Sequence, residues 1–273
     1  MGEIIACANQ KGGVGKTTTV INLATYLALA GRRVLVVDLD PQGNATSGLG
    51  VDRSSVDSSI YAAFVGDEPA SALARTTQVE LREIIPSARD LAGAEVELVG
   101  IAQRERRLER ALEGVRHAYD YILLDCPPAV GLLTVNALTA ADGVLVPIQC
   151  EYYALEGLSQ LLSTVELVRD HLNPRLRLAG VVLTMYDSRT TLSADVAREV
   201  RAHLGRRVFE TVVPRSVRLA EAPSYGRPIA RYSPDSRGAQ AYQALASEVL
   251  ARSAASAAPA QHGRPAPTLS SVP

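Results

Sequence analysis

One ten-residue run, Asn9-Gln10-Lys11-Gly12-Gly13-Val14-Gly15-Lys16-Thr17-Thr18, limits the fold of this chain more than any other segment. Before it lies the apolar stretch Glu3-Ile4-Ile5-Ala6-Cys7-Ala8, which reads as a buried strand. After it comes Thr19-Val20-Ile21-Asn22-Leu23-Ala24-Thr25-Tyr26-Leu27-Ala28, with apolar residues at helical spacing. Strand, glycine loop and helix in that order let backbone N–H groups and a helix N-terminus surround phosphate oxygens. The spacing therefore predicts phosphate contacts from Gly12, Gly13, Val14, Gly15, Lys16, Thr17 and Thr18. Within that set Lys16 is expected to hold the β and γ phosphates, and the Thr17 hydroxyl Mg²⁺.

The run departs from the pattern G-x-x-x-x-G-K-[ST], because Gln10 stands where the first glycine belongs and Lys11 immediately precedes the glycine pair. Lys11 and Lys16 are also the only lysines in the chain, so a compact ammonium is kept for this loop. The form K-G-G-x-G-K-T-T resembles the deviant Walker A loop of the ParA/MinD group of P-loop ATPases. The resemblance implies ATP and Mg²⁺ as cofactors. It also implies that Lys11 reaches the nucleotide of a second subunit.

Two further stretches end in carboxylates. Arg33-Val34-Leu35-Val36-Val37-Asp38-Leu39-Asp40 and Tyr121-Ile122-Leu123-Leu124-Asp125 are apolar strands followed by turn residues. Ligands of open α/β sheets collect beyond the carboxyl ends of the strands, so Asp38, Asp40 and Asp125 are expected to converge on the glycine loop. Asp125 reads as the carboxylate that holds Mg²⁺ directly or through its water. Asp40 is the candidate for orienting an attacking water, with Asp38 supporting metal and loop. A lone carboxylate at a strand end is often a turn former or a helix cap, but three of them after a phosphate loop favour a site.

The resemblance extends to Asp38-Leu39-Asp40-Pro41-Gln42-Gly43-Asn44, Asp125-Cys126-Pro127-Pro128, Gln149-Cys150-Glu151-Tyr152-Tyr153-Ala154-Leu155-Glu156-Gly157 and Val217-Arg218-Leu219-Ala220-Glu221-Ala222-Pro223-Ser224. These blocks look like the chromosomal ParA (Soj) branch, and the likeness covers residues 3–252. It implies an ATP-dependent homodimer that binds double-stranded DNA without sequence preference. The implied task is segregation of chromosome or plasmid origins with a ParB-type centromere-binding partner. The alternatives are a membrane-associated spatial regulator like MinD and a metabolic P-loop enzyme.

Alternating strand and helix patterns without a linker predict one α/β domain, a doubly wound, mostly parallel sheet with helices on both faces, over residues 1–252. Helices are expected at Gln103 to His117, Leu132 to Ala141, Leu155 to Leu172, Thr191 to Leu204 and Arg237 to Arg252. Strands are expected at Gly143 to Pro147 and Leu178 to Thr184. Met185 and Pro214, placed after late strands, are the candidates for contacting adenine. Residues 253–273, rich in Ala, Pro and Ser, are expected to be a disordered tail. With Pro259, Pro265 and Pro267 and a single charge at Arg264, that tail does not read as an amphipathic membrane helix.

No signal-peptide pattern and no run of about 18 apolar residues is present, which predicts a cytoplasmic protein rather than one at a membrane, and the resemblance implies association with the nucleoid. Cys7, Cys126 and Cys150 are far apart and lack a C-x-x-C pair, which favours reduced thiols and speaks against the iron–sulfur relatives of this loop. The formal net charge is −1, so affinity for DNA needs a local patch. Residues 198–231 carry eight arginines against three glutamates. Such a run is usually a solvated face. The resemblance assigns DNA contact to Arg189 and Arg218, which match positions where the Soj branch carries DNA-contacting arginines.

Overall fold

The computed structural model describes residues 1–151 and 154–257; Tyr152, Tyr153 and the expected tail beyond residue 257 lie outside the described residues. Among the described residues eight strands form one sheet: β1 (Glu3–Cys7), β2 (Val34–Asp38), β3 (Arg75–Thr76), β4 (Arg82–Ile85), β5 (Tyr121–Asp125), β6 (Gly143–Gln149), β7 (Arg177–Tyr186) and β8 (Val208–Pro214). Their order is β3-β4-β2-β5-β1-β6-β7-β8. Every pairing is parallel except the antiparallel contact of β3 with β4. β2 and β5 are buried at every position, as strands covered on both faces must be.

Two apolar cores flank the sheet. One packs Leu108, Leu133, Leu161 and Val200 against Leu35, Leu124 and Val146, so the helices at 107–113, 132–140, 154–171 and 191–204 share that face. The other joins Leu23 and Leu27 of the helix Lys16–Leu29 to Tyr242 and Leu245 of the helix Arg237–Ala257. The first helix is buried on almost all sides because sheet and last helix enclose it. β1 lies between β5 and β6, so the chain leaves it toward one half of the sheet and later crosses it to build the other. That reversal opens a crevice beyond the carboxyl end of β1, where the glycine loop begins.

Several element boundaries differ from the sequence expectation. The helix expected from Gln103 occupies only Arg107–Glu113 and follows a 3₁₀ turn at Arg104–Arg106, because Gln103 adopts a left-handed backbone with φ 53°. Residues 44–100 form short helices, such as Asn44–Gly48 and Ile60–Val65, together with β3 and β4; these are too short to show a period. The last helix runs to Ala257, five residues beyond the Arg252 expected from the sequence. Ser253 there donates a 2.7 Å hydrogen bond to Glu3 Oε2.

Candidate nucleotide and metal site

The glycine loop is fixed at its entry and in its middle by distant parts of the sheet. Asn9 Nδ2 donates to the Pro147 carbonyl at 2.7 Å while its Oδ1 accepts from the Lys11 amide at 3.0 Å. Thr184 Oγ1 donates to the Val14 carbonyl at 2.8 Å, tying the loop to β7. Gly13 and Gly15 have φ of 75° and 88°, a left-handed backbone that favours glycine. Gly15 then caps the helix beginning at Lys16. Lys16 is buried, and its ammonium donates to the Lys11 carbonyl at 3.1 Å, inside the curve of its own loop. Lys11 points elsewhere, toward Glu151 at 3.8 Å, with nearly half of its side chain exposed.

The three carboxylates gather beside this loop but are held differently. Asp38 and Asp125 are opposite one another on β2 and β5, and Cys7 of β1 is the register partner of Asp125 on its other side. Asp38 accepts from the Thr46 amide and the Thr46 hydroxyl, each at 2.7 Å, and from the Asp40 amide at 3.2 Å. Burial pushes its carboxyl up to about 6 despite these donors. Asp125 has no exposed surface, and among the described residues neither of its oxygens has a hydrogen-bond partner of good geometry, although the Thr17 hydroxyl lies close enough to favour the ionised form. Burial, and then the charge of Asp38, raises its pKa well above the carboxylate range; Thr17 and Lys16 act in the opposite direction. Asp40 is buried and turns back to accept from the Gln42 amide at 2.9 Å.

An unpartnered buried carboxylate is costly unless a cation completes it. The donor set therefore fits Mg²⁺: hard oxygen ligands from Asp125 and Thr17, beside a loop shaped for phosphates that would bring further oxygens. Asp38 serves foremost as the anchor of the helix Asn44–Gly48, and Thr46 passes the connection on by accepting from the Ser87 amide at 3.0 Å.

Beyond the ends of β7 and β8 a cavity of about 210 Å³ opens against the first helix. Its lining includes Thr18, Met185, Pro214, Arg215 and Tyr242. Met185 has φ 51°, rare for a residue with a side chain and of the kind concentrated at functional sites. Tyr242 comes from the last helix and shares a 3.2 Å hydrogen bond with Thr19; no local signal in the sequence marks it for this cavity.

The two arginines assigned to DNA follow the carboxyl ends of β7 and β8, Arg189 in a turn and Arg218 in the short helix Val217–Glu221. Neither charge is free. Arg189 forms a bidentate pair with Asp187, at 2.9 and 2.7 Å, and holds that carboxyl well below the usual range. Arg218 donates to Glu221 at 3.1 Å, and Tyr232 donates to the same carboxylate oxygen at 3.0 Å.

Comparison with known proteins agrees with this geometry. The AAA-domain family model matches residues 2–178. The sporulation initiation inhibitor protein Soj of Bacillus subtilis is 57% identical over 251 residues, 92% of this chain and 99% of that protein. The chromosome partitioning protein ParA of Myxococcus xanthus is 53% identical over 252 residues, 92% of this chain and 89% of that protein. Among solved structures, cobyrinic acid a,c-diamide synthase from Mycobacterium smegmatis with bound ADP and magnesium is 41% identical, with a TM-score of 0.83 over 94% of this chain and 97% of that one. Its ligands, ADP and magnesium, correspond to the chemistry that the loop and Asp125 fit. With identity above one half across nine-tenths of its length, this chain belongs to the Soj/ParA family of chromosome-partitioning ATPases.

Proposed function

We propose that the protein is an ATP-dependent dimerisation switch that holds non-specific DNA as a dimer and releases it on hydrolysis, in the cytoplasm and on the nucleoid. The observation that carries this reading is the division of labour between its two lysines. Lys16 is buried within its own loop, whereas Lys11 is half exposed and directed away from it, available to a second subunit. Thr17 and Asp125 would hold Mg²⁺, which supplies positive charge to the phosphates when bound. Asp40 orients water for attack on the γ-phosphorus, and the bond to the β–γ bridging oxygen breaks to leave ADP and phosphate. The base fits the cavity beside Met185 and Pro214. Arg189 and Arg218 contact DNA phosphates, and a ParB-type protein is the partner.

The name of the Mycobacterium smegmatis structure offers a second reading, a metabolic amide synthase. The higher identity to Soj and ParA proteins favours the partition reading. An electrophoretic shift assay with random-sequence duplex DNA separates them. A partition switch retards DNA with ATP and not with ADP, whereas a metabolic enzyme retards it with neither.

A further inference from the structure

The first carboxylate beyond β6 sits between two cations, Lys11 and Arg215, that are 204 positions apart in the chain. Glu151 Oε2 lies 3.8 Å from Lys11 Nζ, and its Oε1 accepts from Arg215 Nη2 at 3.2 Å. Gln149, at the end of β6, also donates to Oε1 and so steadies the carboxylate. Lys11 opens the phosphate loop, while Arg215 lines the cavity beyond β7 and β8. One carboxylate thus connects both walls of the nucleotide cleft. All three side chains are about half exposed, at 44–58%. An ion pair in such a setting is weak enough for a polyphosphate to displace.

We propose that Glu151 is a positioning residue that stores Lys11 on its own subunit until the phosphates of a partner's nucleotide compete for the ammonium. This rests on the dimer reading above and adds to it a control on the threshold. Separating Lys11 from Glu151 is a cost of dimer formation that single-subunit nucleotide binding does not incur. The latch therefore opposes the ATP dimer and leaves ADP affinity unchanged. A symmetric dimer contains two latches, so their effects multiply.

The test compares wild type with Glu151→Gln, which keeps volume and an acceptor for Arg215 but removes the charge. Dimer dissociation constants are measured by analytical ultracentrifugation with saturating β,γ-imido-ATP and Mg²⁺. Loss of each latch should favour the dimer about two- to fivefold, so the constant should fall about four- to twenty-fivefold. ADP affinity should stay within about twofold, and the gain should shrink as KCl screens the pair. The two lysines also give a direct signature: in ¹³Cε-lysine spectra the Lys11 resonance should move both in Glu151→Gln and when the analogue binds wild type. A dimer constant that is unchanged or higher in Glu151→Gln, with wild type still dimerising, overturns the latch alone. Wild type remaining monomeric with the analogue overturns the dimer reading and the latch together.

Discussion

Asp38 and Asp125 are register partners at the carboxyl ends of β2 and β5, both fully buried, yet Asp38 accepts three hydrogen bonds while Asp125, among the described residues, accepts none of good geometry. Identical side chains at one level of the sheet thus have opposite relations to their surroundings. One carboxylate is completed by the polypeptide, and the other is the one that a bound cation would complete.

Their neutralisation should therefore change stability in opposite directions. Above the raised pKa of Asp125, where the buried carboxylate is ionised, Asp125→Asn removes that charge and should stabilise the metal-free, nucleotide-free protein by about 1–3 kcal/mol. That corresponds to a Tm rise of about 2–12 °C for a domain of this size. Asp38→Ala leaves the Thr46 amide unpaired and should cost about 2–4 kcal/mol. Thermal unfolding in EDTA measures both, and a lowered Tm in Asp125→Asn would show that the carboxylate already has a stabilising role without metal. The further stabilisation that Mg²⁺ gives nucleotide-bound wild type should be absent from Asp125→Asn.

The two lysines should separate binding from association. Lys16→Ala removes the cation inside the loop and should abolish ATP binding measured by calorimetry. Lys11→Ala should bind nucleotide as a monomer and fail to dimerise. Equal loss of affinity in both variants would place Lys11 on its own subunit's nucleotide. Gly12→Val should resemble Lys11→Ala: a Cβ at Gly12 meets Pro128 Cβ at an ordinary 3.9 Å, so the subunit has room for that atom, and the dimer reading sets the branched side chain against the opposing subunit.

The parts of the site written in consecutive residues were legible in the sequence. Residues 9–18 carry strand exit, turn glycines and helix start together, and Asp38 and Asp125 each end an apolar run, so their convergence follows from parallel-sheet geometry. What escaped depends on contacts across the chain. Thr184 holds Val14 from 170 positions away, and Tyr242 reaches the first helix from 223 positions away. The left-handed Gln103, which shortens an expected helix, has no marker comparable to glycine. The Asp187 partner of Arg189 lies only two residues from it, but spacing alone does not reveal a bidentate pair.

Hydrolysis should depend on Asp40. Asp40→Ala retains Lys16, Thr17 and Asp125, so it should bind Mg-ATP normally and lower phosphate release by about 100-fold or more, the range of a lost general-base group. The variant should accumulate as an ATP dimer. Wild-type turnover would remove Asp40 from the reaction.

DNA binding should be held back by the acids that occupy its arginines. Asp187→Asn frees Arg189 and should tighten binding to random duplex DNA severalfold with ATP present. Arg189→Glu or Arg218→Glu should weaken binding to all sequences. Because a dimer carries each contact twice, either should reduce the log–log salt slope by about 1.8. Unchanged affinity in the double Glu variant, with dimerisation intact, would mean that these arginines belong to a solvated face.

The most direct measurement is sedimentation of the wild-type protein with ATP, with ADP and without nucleotide, each in the presence and absence of random-sequence DNA. The predicted result is a monomer with ADP or no nucleotide, a dimer with ATP, and co-sedimentation with DNA only in the ATP sample. A monomer under all conditions, or equal DNA binding with ATP and ADP, would contradict the account of a nucleotide-controlled dimer switch.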